Sequence, residues 1–277
     1  MEALLIDLND YERSGEGANG YSYFHKTDPK IMMKLNNPGL DRSIAENELA
    51  QAQRVYDAGI QCPKPGELVT DGKGCFGIRF ERILGKKSFS RIVGDNPELT
   101  EEYARRFAVL CRKLHSTRVN TELFPNNKQV YLKFLEEDPY FTPEEKVKIA
   151  AFINSIEDTD TAIHGDLQFS NVITDGTNDY FIDLGEFAYG HPYFDVGMVY
   201  LCCCKDDEEF LREVFHMTPQ TARSFWVYFA DEYFGHGCNL EQIEKMITPY
   251  AGLKSLLIEH YGAYVPAFHE MLDPILK

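Results

Sequence analysis

The chain has little of what membrane, secreted and nucleic-acid-binding proteins need. No apolar run approaches the roughly 20 residues of a membrane-spanning helix. The first residues, MEALLIDLNDYE, carry acids where a secretion signal would carry basic residues. The formal net charge is −16 and no lysine or arginine cluster stands out, although nucleic-acid binding needs basic residues on one face. We therefore expect a cytoplasmic protein with neither a membrane nor a nucleic-acid partner.

Cysteine is present, but in no pattern that predicts disulfides or a metal site. Seven cysteines, an odd number, stand at irregular spacing, which fits a reducing compartment better than a disulfide framework. The run Cys202-Cys203-Cys204 follows the apolar stretch VGMVYL, which is typical of a helix. Because consecutive side chains of a helix point in different directions, we expect three small buried residues rather than metal ligands.

The glycine spacing Gly15-x-Gly17-x-x-Gly20 near the start of the chain has three explanations. It occurs in the turn of a Rossmann dinucleotide site, in the glycine-rich lid over ATP in kinases, and in ordinary turns that bind nothing. A Rossmann turn leads at once into a helix that receives the pyrophosphate. Here YSYFHKTDPKIMMKL follows, which predicts a strand, a turn at Asp28-Pro29 and a second strand. The dehydrogenase interpretation therefore fails.

One helix and two further strands complete the predicted N-terminal segment. The stretch LDRSIAENELAQAQRVYDAG predicts a helix whose apolar face carries Ile44, Leu49, Ala52 and Val55. A proline-rich connection and two strands around an Asp71-Gly72 turn follow in CPKPGELVTDGKGCFGIRFERI.

We therefore expect an α+β fold with two lobes. Residues 1–83 are predicted to form a small, mostly β lobe with one helix. Residues 84–277 are predicted to form a larger, mostly helical lobe, in which SNVIT and DYFIDL are short strands.

The residues that suggest chemistry lie in IHGDLQFSNVI, residues 163–173, and YFIDLGE, residues 180–186. Asn171 follows Asp166 after four residues, as in the kinase catalytic loop, and Asp183 ends an apolar strand just before a glycine. Phosphoryl transfer needs a carboxylate near the attacking hydroxyl and oxygen ligands that hold Mg²⁺ against the phosphates. Each residue alone has a structural explanation, but their order along the chain predicts an ATP-binding kinase fold.

These motifs resemble the aminoglycoside phosphotransferase and choline kinase family. HGD stands at 164–166 in place of His-Arg-Asp, and DLG stands at 183–185 in place of Asp-Phe-Gly. The resemblance spans residues 13 to about 200 and implies a protein-kinase-like fold with a small antiparallel N-lobe. It also implies that Asp166 orients the acceptor hydroxyl and accepts its proton, and that Asn171 and Asp183 hold Mg²⁺.

The same resemblance implies nucleotide contacts in the first lobe. Lys34 in IMMKL corresponds to the lysine that contacts the α- and β-phosphates, with Glu48 as its expected partner and Glu46 as the alternative. FERILG resembles the hinge, which makes the Glu81 carbonyl and the Ile83 amide candidates for holding adenine. The resemblance further implies that three glycines form a lid over the phosphates, because a glycine backbone has no Cβ and can approach the nucleotide closely. They are Gly15, Gly17 and Gly20.

The segment after Asp183 favours a small-molecule kinase over a protein kinase. A protein kinase has an activation segment that ends in Ala-Pro-Glu, whereas here eleven residues separate Asp183 from Asp195 and that motif is absent. Gly165 also replaces the arginine that pairs with a phosphorylated loop. In the family, an Asp placed like Asp195 ties the loop to the following helix, so we expect Asp195 to be architectural.

We therefore predict a kinase that uses Mg²⁺ to transfer the γ-phosphate of ATP, or of GTP, to a hydroxyl of a small and possibly cationic metabolite or antibiotic. Choline, ethanolamine or a sugar are alternative acceptors, and a nucleotide-binding pseudokinase without turnover is the contrasting class. FWVYFADEYF, residues 225–234, offers acids and aromatic rings that suit a cation. Aromatic residues at helical spacing are, however, more often core.

Overall fold

The chain divides by its internal packing into two units. The structure is a computed structural model that describes residues 2–17, 20–204 and 207–277. The first unit comprises Met1–Lys87 and Val172–Gly185, and the second comprises Ser88–Asn171 and Glu186–Lys277. A lobe boundary at residue 83 stays a prediction, and the packing additionally groups 172–185 with the N-terminal segment.

A six-stranded sheet with one helix forms most of the first unit. Its order is β1-β5-β6-β4-β3-β2, antiparallel throughout except that β1 pairs parallel to β5. The bounds are β1 (Leu4–Leu5), β2 (Tyr11–Gly17), β3 (Gly20–His25), β4 (Ile31–Asn36), β5 (Pro65–Thr70) and β6 (Phe76–Glu81). A further short strand, β7 (Lys87–Ser88), is not part of this sheet. The four strands predicted after the glycines are confirmed as β3 to β6.

Helix α1 (Arg42–Asp57) packs on β5 and β6 through a slightly different face from the predicted one. Leu49 and Val55 are buried as expected, but Ala45 is buried in place of Ile44, which is 39% exposed. Because each residue turns the helix by about 100°, Ala45 shares the face of Leu49 whereas Ile44 lies well off it. The prediction for Ile44 was therefore wrong by one position.

The second unit is mostly helical, as the sequence predicts. Its helices are α2 (Phe89–Asp95), α3 (Thr100–His115), α4 (Asn127–Glu137), α5 (Pro143–Ser155), α6 (Tyr193–Cys204), α7 (Glu208–Phe215), α8 (Pro219–Phe234), α9 (Leu240–His260), α10 (Pro266–Glu270) and α11 (Asp273–Leu276). Within the described residues, no helix is long and apolar enough to span a membrane.

Four short strands flank the motifs that the sequence singles out. In the second unit, β8 (Ala162–Ile163) pairs antiparallel with β11 (Ala188–Tyr189), and β8 leads directly into the HGD loop. In the first unit, β9 (Val172–Thr174) and β10 (Asp179–Phe181) form a hairpin just before Asp183. The two strands predicted in this region are therefore confirmed, at β9 and β10.

Helix α9 lies at the centre of the second unit. It packs against α4, α6, α8 and α10. Tyr131, Phe194, Leu253 and Leu256 form part of one buried cluster here, and burial of each such side chain contributes about 1.5–3 kcal/mol. α6, whose first turn carries Asp195, is thereby fixed against α9.

The cysteine run lies in α6 and behaves as predicted. Cys202 and Cys203 are 4% and 2% exposed. Burial raises the pKa of the Cys204 thiol to about 11, so the thiol stays protonated at neutral pH, and Arg223 Nη1 donates to its sulfur. The prediction of small buried residues is confirmed for Cys202 and Cys203.

Two buried carboxyl groups, those of Glu259 and Asp138, lie near the C-terminal end of α9. Glu259 and Asp138 are 9% and 7% exposed, and His269 Nε2 lies 2.6 Å from Glu259 Oε1. Asp138 Oδ1 accepts hydrogen bonds from the amides of Tyr140 and Phe141. Burial, together with the charge of the nearby Asp138, raises the pKa of Glu259 to about 8. Glu259 therefore keeps its proton at neutral pH.

The raised pKa of Glu259 predicts a pH-dependent stability that Glu259→Gln removes. Between the usual pKa of 4.5 and about 8, the folded chain holds a proton that the unfolded chain releases. The free energy of unfolding should therefore fall as the pH rises through this window, and fall less in the variant. Urea unfolding at pH 5 and pH 8 measures the difference. Equal pH slopes for the two chains would contradict the prediction.

Candidate active site

The HGD loop follows β8 in a conformation that requires glycine at its second position. Gly165 has φ +87°, and a Cβ added to it would lie 2.1 Å from the carbonyl oxygen of Glu186. Both observations exclude a side chain. Arginine, which protein kinases place here, is therefore sterically excluded from this loop.

Asp195 anchors the loop from the first turn of α6. Its Oδ2 accepts from the His164 amide at 2.7 Å and its Oδ1 from the Gly165 amide at 2.9 Å. His115 Nε2 lies 3.1 Å from Asp195 Oδ2. Burial raises the pKa of Asp195, but the His115 hydrogen bond and the charges of His115, His164 and Lys254 outweigh it and lower the pKa. Asp195 thus stays ionised and has the architectural role expected of it.

The Asp166 carboxylate is held on one side only. Gln168 Nε2 and Asn171 Nδ2 each lie 3.1 Å from Asp166 Oδ2. Among the described residues of the second unit, no donor contacts Asp166 Oδ1, and the residue is partly exposed. The arrangement leaves one oriented carboxylate oxygen able to accept a proton from a hydroxyl group.

The two residues expected to hold Mg²⁺ each offer an oxygen. Asn171 Nδ2 donates to the Asp166 main-chain oxygen and to its carboxylate, which leaves the Asn171 amide oxygen available. Asp183, in the first unit, is exposed and has φ +60°, an uncommon conformation for a non-glycine residue. Such strained residues cluster at functional sites.

This donor set fits Mg²⁺ chemically. Mg²⁺ is usually bound through one or two protein carboxylates, while phosphate oxygens and waters supply the other ligands. Among the described residues, no group of three or more His, Cys, Asp or Glu side chains could hold a metal. An amide oxygen, as in Asn171, and a carboxylate, as in Asp183, are each a kind of oxygen ligand that Mg²⁺ accepts.

Within the first unit, Lys34 of β4 pairs with Glu48 of α1. Lys34 Nζ donates to Glu48 Oε1 at 2.7 Å, and the two side chains are 33% and 28% exposed. Glu46 instead pairs with Arg42, at 2.9 Å. The structure therefore makes Glu48, rather than Glu46, the partner of Lys34. The half-buried ammonium remains accessible to a phosphate.

The glycine motif lies in a hairpin, as predicted. Gly17 in β2 pairs with Gly20 in β3, and the two residues that connect them lie outside the described residues. A Cβ at Gly20 would lie 2.1 Å from Leu35 O, so sheet packing alone requires this glycine. A Cβ at Gly15 would meet only Ser22 Cβ, at 3.9 Å. Packing therefore does not explain Gly15, and the lid role of the glycines stays a prediction.

The predicted hinge follows the end of β6. Glu81 is the last residue of β6, and the Arg82 amide donates to Lys30 O at 2.8 Å. Among the described residues of the first unit, the Ile83 amide has no hydrogen-bond acceptor. The adenine contact of this amide stays a prediction.

The acceptor contacts suggested for residues 225–234 find no support. Trp226 is 0% exposed, and α8, which carries it, packs against α3. Asp231 Oδ2 lies 2.8 Å from Arg105 Nη1 and Glu232 Oε1 lies 2.6 Å from Arg112 Nη2. Phe225, Trp226 and Phe229 therefore belong to the core, and both acids are paired with arginines. Tyr228, Tyr233 and Phe234 are only partly buried, so an acceptor contact by these rings stays a prediction.

Sequence reasoning missed two contacts to the loop region. Lys254 Nζ donates to Gly165 O at 2.8 Å, and the Tyr261 hydroxyl donates to the Glu186 carboxylate. The available signal for Lys254 was a single charge inside the apolar stretch YAGLKSLLI. Tyr261 offered no such signal.

The sequence profile of the phosphotransferase enzyme family (APH) matches residues 10–224. That match covers the glycine hairpin, the Lys34–Glu48 pair, the HGD loop and Asp183. The chain belongs to this family. No functionally curated protein matches the sequence.

Solved structures confirm the kinase-like α+β fold expected of a family member. Aminoglycoside phosphotransferase APH(4)-Ia superposes with a TM-score of 0.63 at 11% identity, covering 96% of this chain and 93% of that one. Amicoumacin kinase hAmiN, in complex with AMP-PNP, Ca²⁺ and Ami, gives 0.58 at 14%, covering 99% and 89%. A choline/ethanolamine kinase family protein from Mesorhizobium loti gives 0.55 at 15%, covering 96% and 85%. At these identities the likeness shows the fold alone.

The anchoring of the HGD loop predicts a large loss of stability in Asp195→Asn. The amide keeps one acceptor oxygen but turns an NH₂ group toward one of the two backbone N–H groups. The buried network is thereby broken, which costs about 3–5 kcal/mol. Asp160→Asn is the control, because Asp160 forms an exposed pair with Arg118 worth less than about 1 kcal/mol. Urea unfolding measures both, and equal small losses would contradict the anchoring role.

Proposed function

We propose that this chain is a small-molecule kinase that transfers the γ-phosphate of ATP, or of GTP, to a hydroxyl group. The observation that carries the proposal is the Asp166 carboxylate, which is oriented through one oxygen by Gln168 and Asn171 and keeps the other available. Its loop is fixed by the buried Asp195 in a chain of the phosphotransferase enzyme family. A pseudokinase has no observation in its favour.

In this proposal Asp166 is the catalytic residue. Its Oδ1 accepts the hydrogen bond of the acceptor hydroxyl and takes the proton as the oxygen attacks the γ-phosphorus. The bond from the γ-phosphorus to the β–γ bridging oxygen breaks, and ADP or GDP leaves. Asn171 Nδ2 and Gln168 Nε2 hold the other oxygen, so the carboxylate presents a fixed edge to the acceptor. Fixed orientation of this kind lowers the entropy cost of reaching the transition state.

Residues of the first unit bind the nucleotide. Glu48 holds the Lys34 ammonium, which contacts the α- and β-phosphates. The Glu81 carbonyl and the Ile83 amide hold adenine through the hinge, where the Ile83 amide has no acceptor among the described residues of the first unit. The lid over the phosphates is formed by Gly15, Gly17 and Gly20.

Asn171 and Asp183 would hold Mg²⁺ through one oxygen each. When bound, the metal supplies positive charge that neutralises the phosphate oxygens. Asp183 follows β10 closely, has a left-handed backbone conformation and is exposed.

The acceptor is proposed to be a small, possibly cationic metabolite or antibiotic. Similar structures include aminoglycoside phosphotransferases, one of them solved with ADP and hygromycin B, and an amicoumacin kinase. A choline/ethanolamine kinase family protein is similar as well, which keeps amino alcohols as alternative acceptors. The net charge of −16 favours approach of a cation.

The proposed function is tested by Mg²⁺-dependent ADP or GDP release across a panel of aminoglycosides, choline, ethanolamine and sugars. With the acceptor that the panel identifies, Asp166→Asn should lower kcat about 10²- to 10⁴-fold, because the amide cannot take the proton. Nucleotide affinity should not change. Asp160→Asn, an exposed acid of the same unit, is the matched control and should retain activity.

Either of two results would contradict the proposal. Full turnover by Asp166→Asn would remove Asp166 from the mechanism. Tight binding of Mg²⁺ and ATP without turnover on any acceptor of the panel would instead favour the pseudokinase.

The pairing of Lys34 predicts different effects for two neighbouring glutamates. Glu48→Gln should lower kcat/KM for the nucleotide on the order of tenfold, about 1.4 kcal/mol of transition-state stabilisation, because the Lys34 ammonium loses its carboxylate partner. Glu46→Gln should have no such effect, because Glu46 pairs with Arg42. Steady-state kinetics with varied ATP measures both. Equal losses in the two variants would show that Lys34 has been assigned the wrong partner.

A further inference from the structure

A fully buried lysine contacts the loop that carries Asp166. Lys254, in α9, is 0% exposed, and its Nζ donates to Gly165 O at 2.8 Å. The ring of Tyr131, with its centroid 5.4 Å from Nζ, lies beside it. Removing an ammonium from water costs several kcal/mol, so a buried lysine needs strong compensating interactions.

Nearby groups compensate the buried charge. Burial lowers the pKa of Lys254, but interactions with Tyr131 and the carboxylates of Asp195 and Asp166 outweigh it and raise the pKa above its usual value. The side chain is therefore an ammonium in the folded protein. A hydrogen bond from an ammonium to a carbonyl is charge-assisted and about twice as strong as a neutral one.

The contacted oxygen belongs to the peptide bond that joins Gly165 to Asp166. A peptide group is planar, so fixing its oxygen also fixes the nitrogen and the Cα of Asp166. The preceding peptide is fixed through the Gly165 amide, which donates to Asp195 at 2.9 Å. Opposite buried charges thus hold two successive peptide planes directly before the carboxylate.

We propose that Lys254 is a positioning residue for phosphoryl transfer. It fixes the Gly165–Asp166 peptide plane and thereby the direction from which Asp166 meets the acceptor hydroxyl. This role rests on the proposed function, because the orientation of the Asp166 carboxylate affects turnover only if Asp166 is catalytic. Lys254 itself touches neither acceptor nor nucleotide in this role.

Another buried lysine of the same unit provides a matched control. Lys128, in α4, is 6% exposed, and its Nζ donates to Ile156 O at 2.7 Å. Lys128 also pairs with Asp158, at 3.0 Å. Like Lys254 it is an ammonium bound to a main-chain carbonyl, but its carbonyl follows α5 rather than preceding Asp166.

The test compares Lys254→Met, Lys254→Arg and Lys128→Met in thermal melting, nucleotide affinity and acceptor kinetics. Lys254→Met should lower kcat about tenfold to a hundredfold, because small displacements of a catalytic group have effects of this size. Its acceptor KM and its nucleotide affinity should not change. Lys254→Arg should restore part of kcat, since a guanidinium can donate to the same oxygen. Lys128→Met should lower the melting temperature and leave kcat unchanged.

Two kinetic results would overturn the proposal. One is a wild-type kcat in folded Lys254→Met. The other is a loss of kcat in Lys128→Met as large as in Lys254→Met, which would make both lysines merely structural.

The wild-type protein allows a measurement that does not depend on the variants folding. NMR of the ¹⁵N-labelled lysine ammonium groups should show a slowly exchanging Lys254 signal, coupled through the hydrogen bond to the Gly165 carbonyl carbon. Absence of that coupling would overturn the proposal. If the coupling is present but the wild type is inactive on the whole panel, the proposed function fails, and the catalytic role of Lys254 fails with it.

Discussion

The carboxylate of Asp195 has no exposure to solvent, and it accepts hydrogen bonds from two successive backbone amides. A buried carboxylate is tolerated only where its lone pairs are used and opposite charge is near. His115 lies at hydrogen-bond distance from Asp195, and Lys254 supplies the opposite charge. These groups come from α3, α6 and α9, which are far apart in sequence. The packing of these three helices in the second unit therefore fixes the position of the HGD loop.

In the second unit, the charged groups that orient the loop are more deeply buried than the carboxylate proposed to be catalytic. Asp195 and Lys254 are fully buried, and each is hydrogen-bonded to the backbone of Gly165. Asp166 is partly exposed and keeps one oxygen available. A catalytic carboxylate must meet solvent and substrate, whereas the groups that orient it work best where water cannot compete. In the first unit the half-buried Lys34 is oriented by Glu48.

The family and the fold class could be predicted because each motif is short and the order of the motifs along the chain is itself informative, and the hairpin could be predicted because it depends on residues close together in sequence. They could not decide between Glu46 and Glu48, since both lie on α1 and their pairing depends on how that helix sits against β4. They also misplaced Ile44 by one position on the same helix. The role of Lys254 was not predictable, because its contact with Gly165 spans 89 residues. The spacing of the aromatic residues in α8 could not show which of them are buried in the core and which could line an acceptor pocket.

Hydrogen exchange at the backbone amides of His164 and Gly165 tests most directly whether buried charge fixes the catalytic loop. Both amides donate to a fully buried carboxylate, so they should exchange only when the whole protein unfolds, together with the slowest amides of the chain. The Thr177 amide, which donates to the exposed Asp175, provides the fast reference. Exchange of His164 and Gly165 as fast as Thr177 would show that the loop opens locally, and would contradict the account.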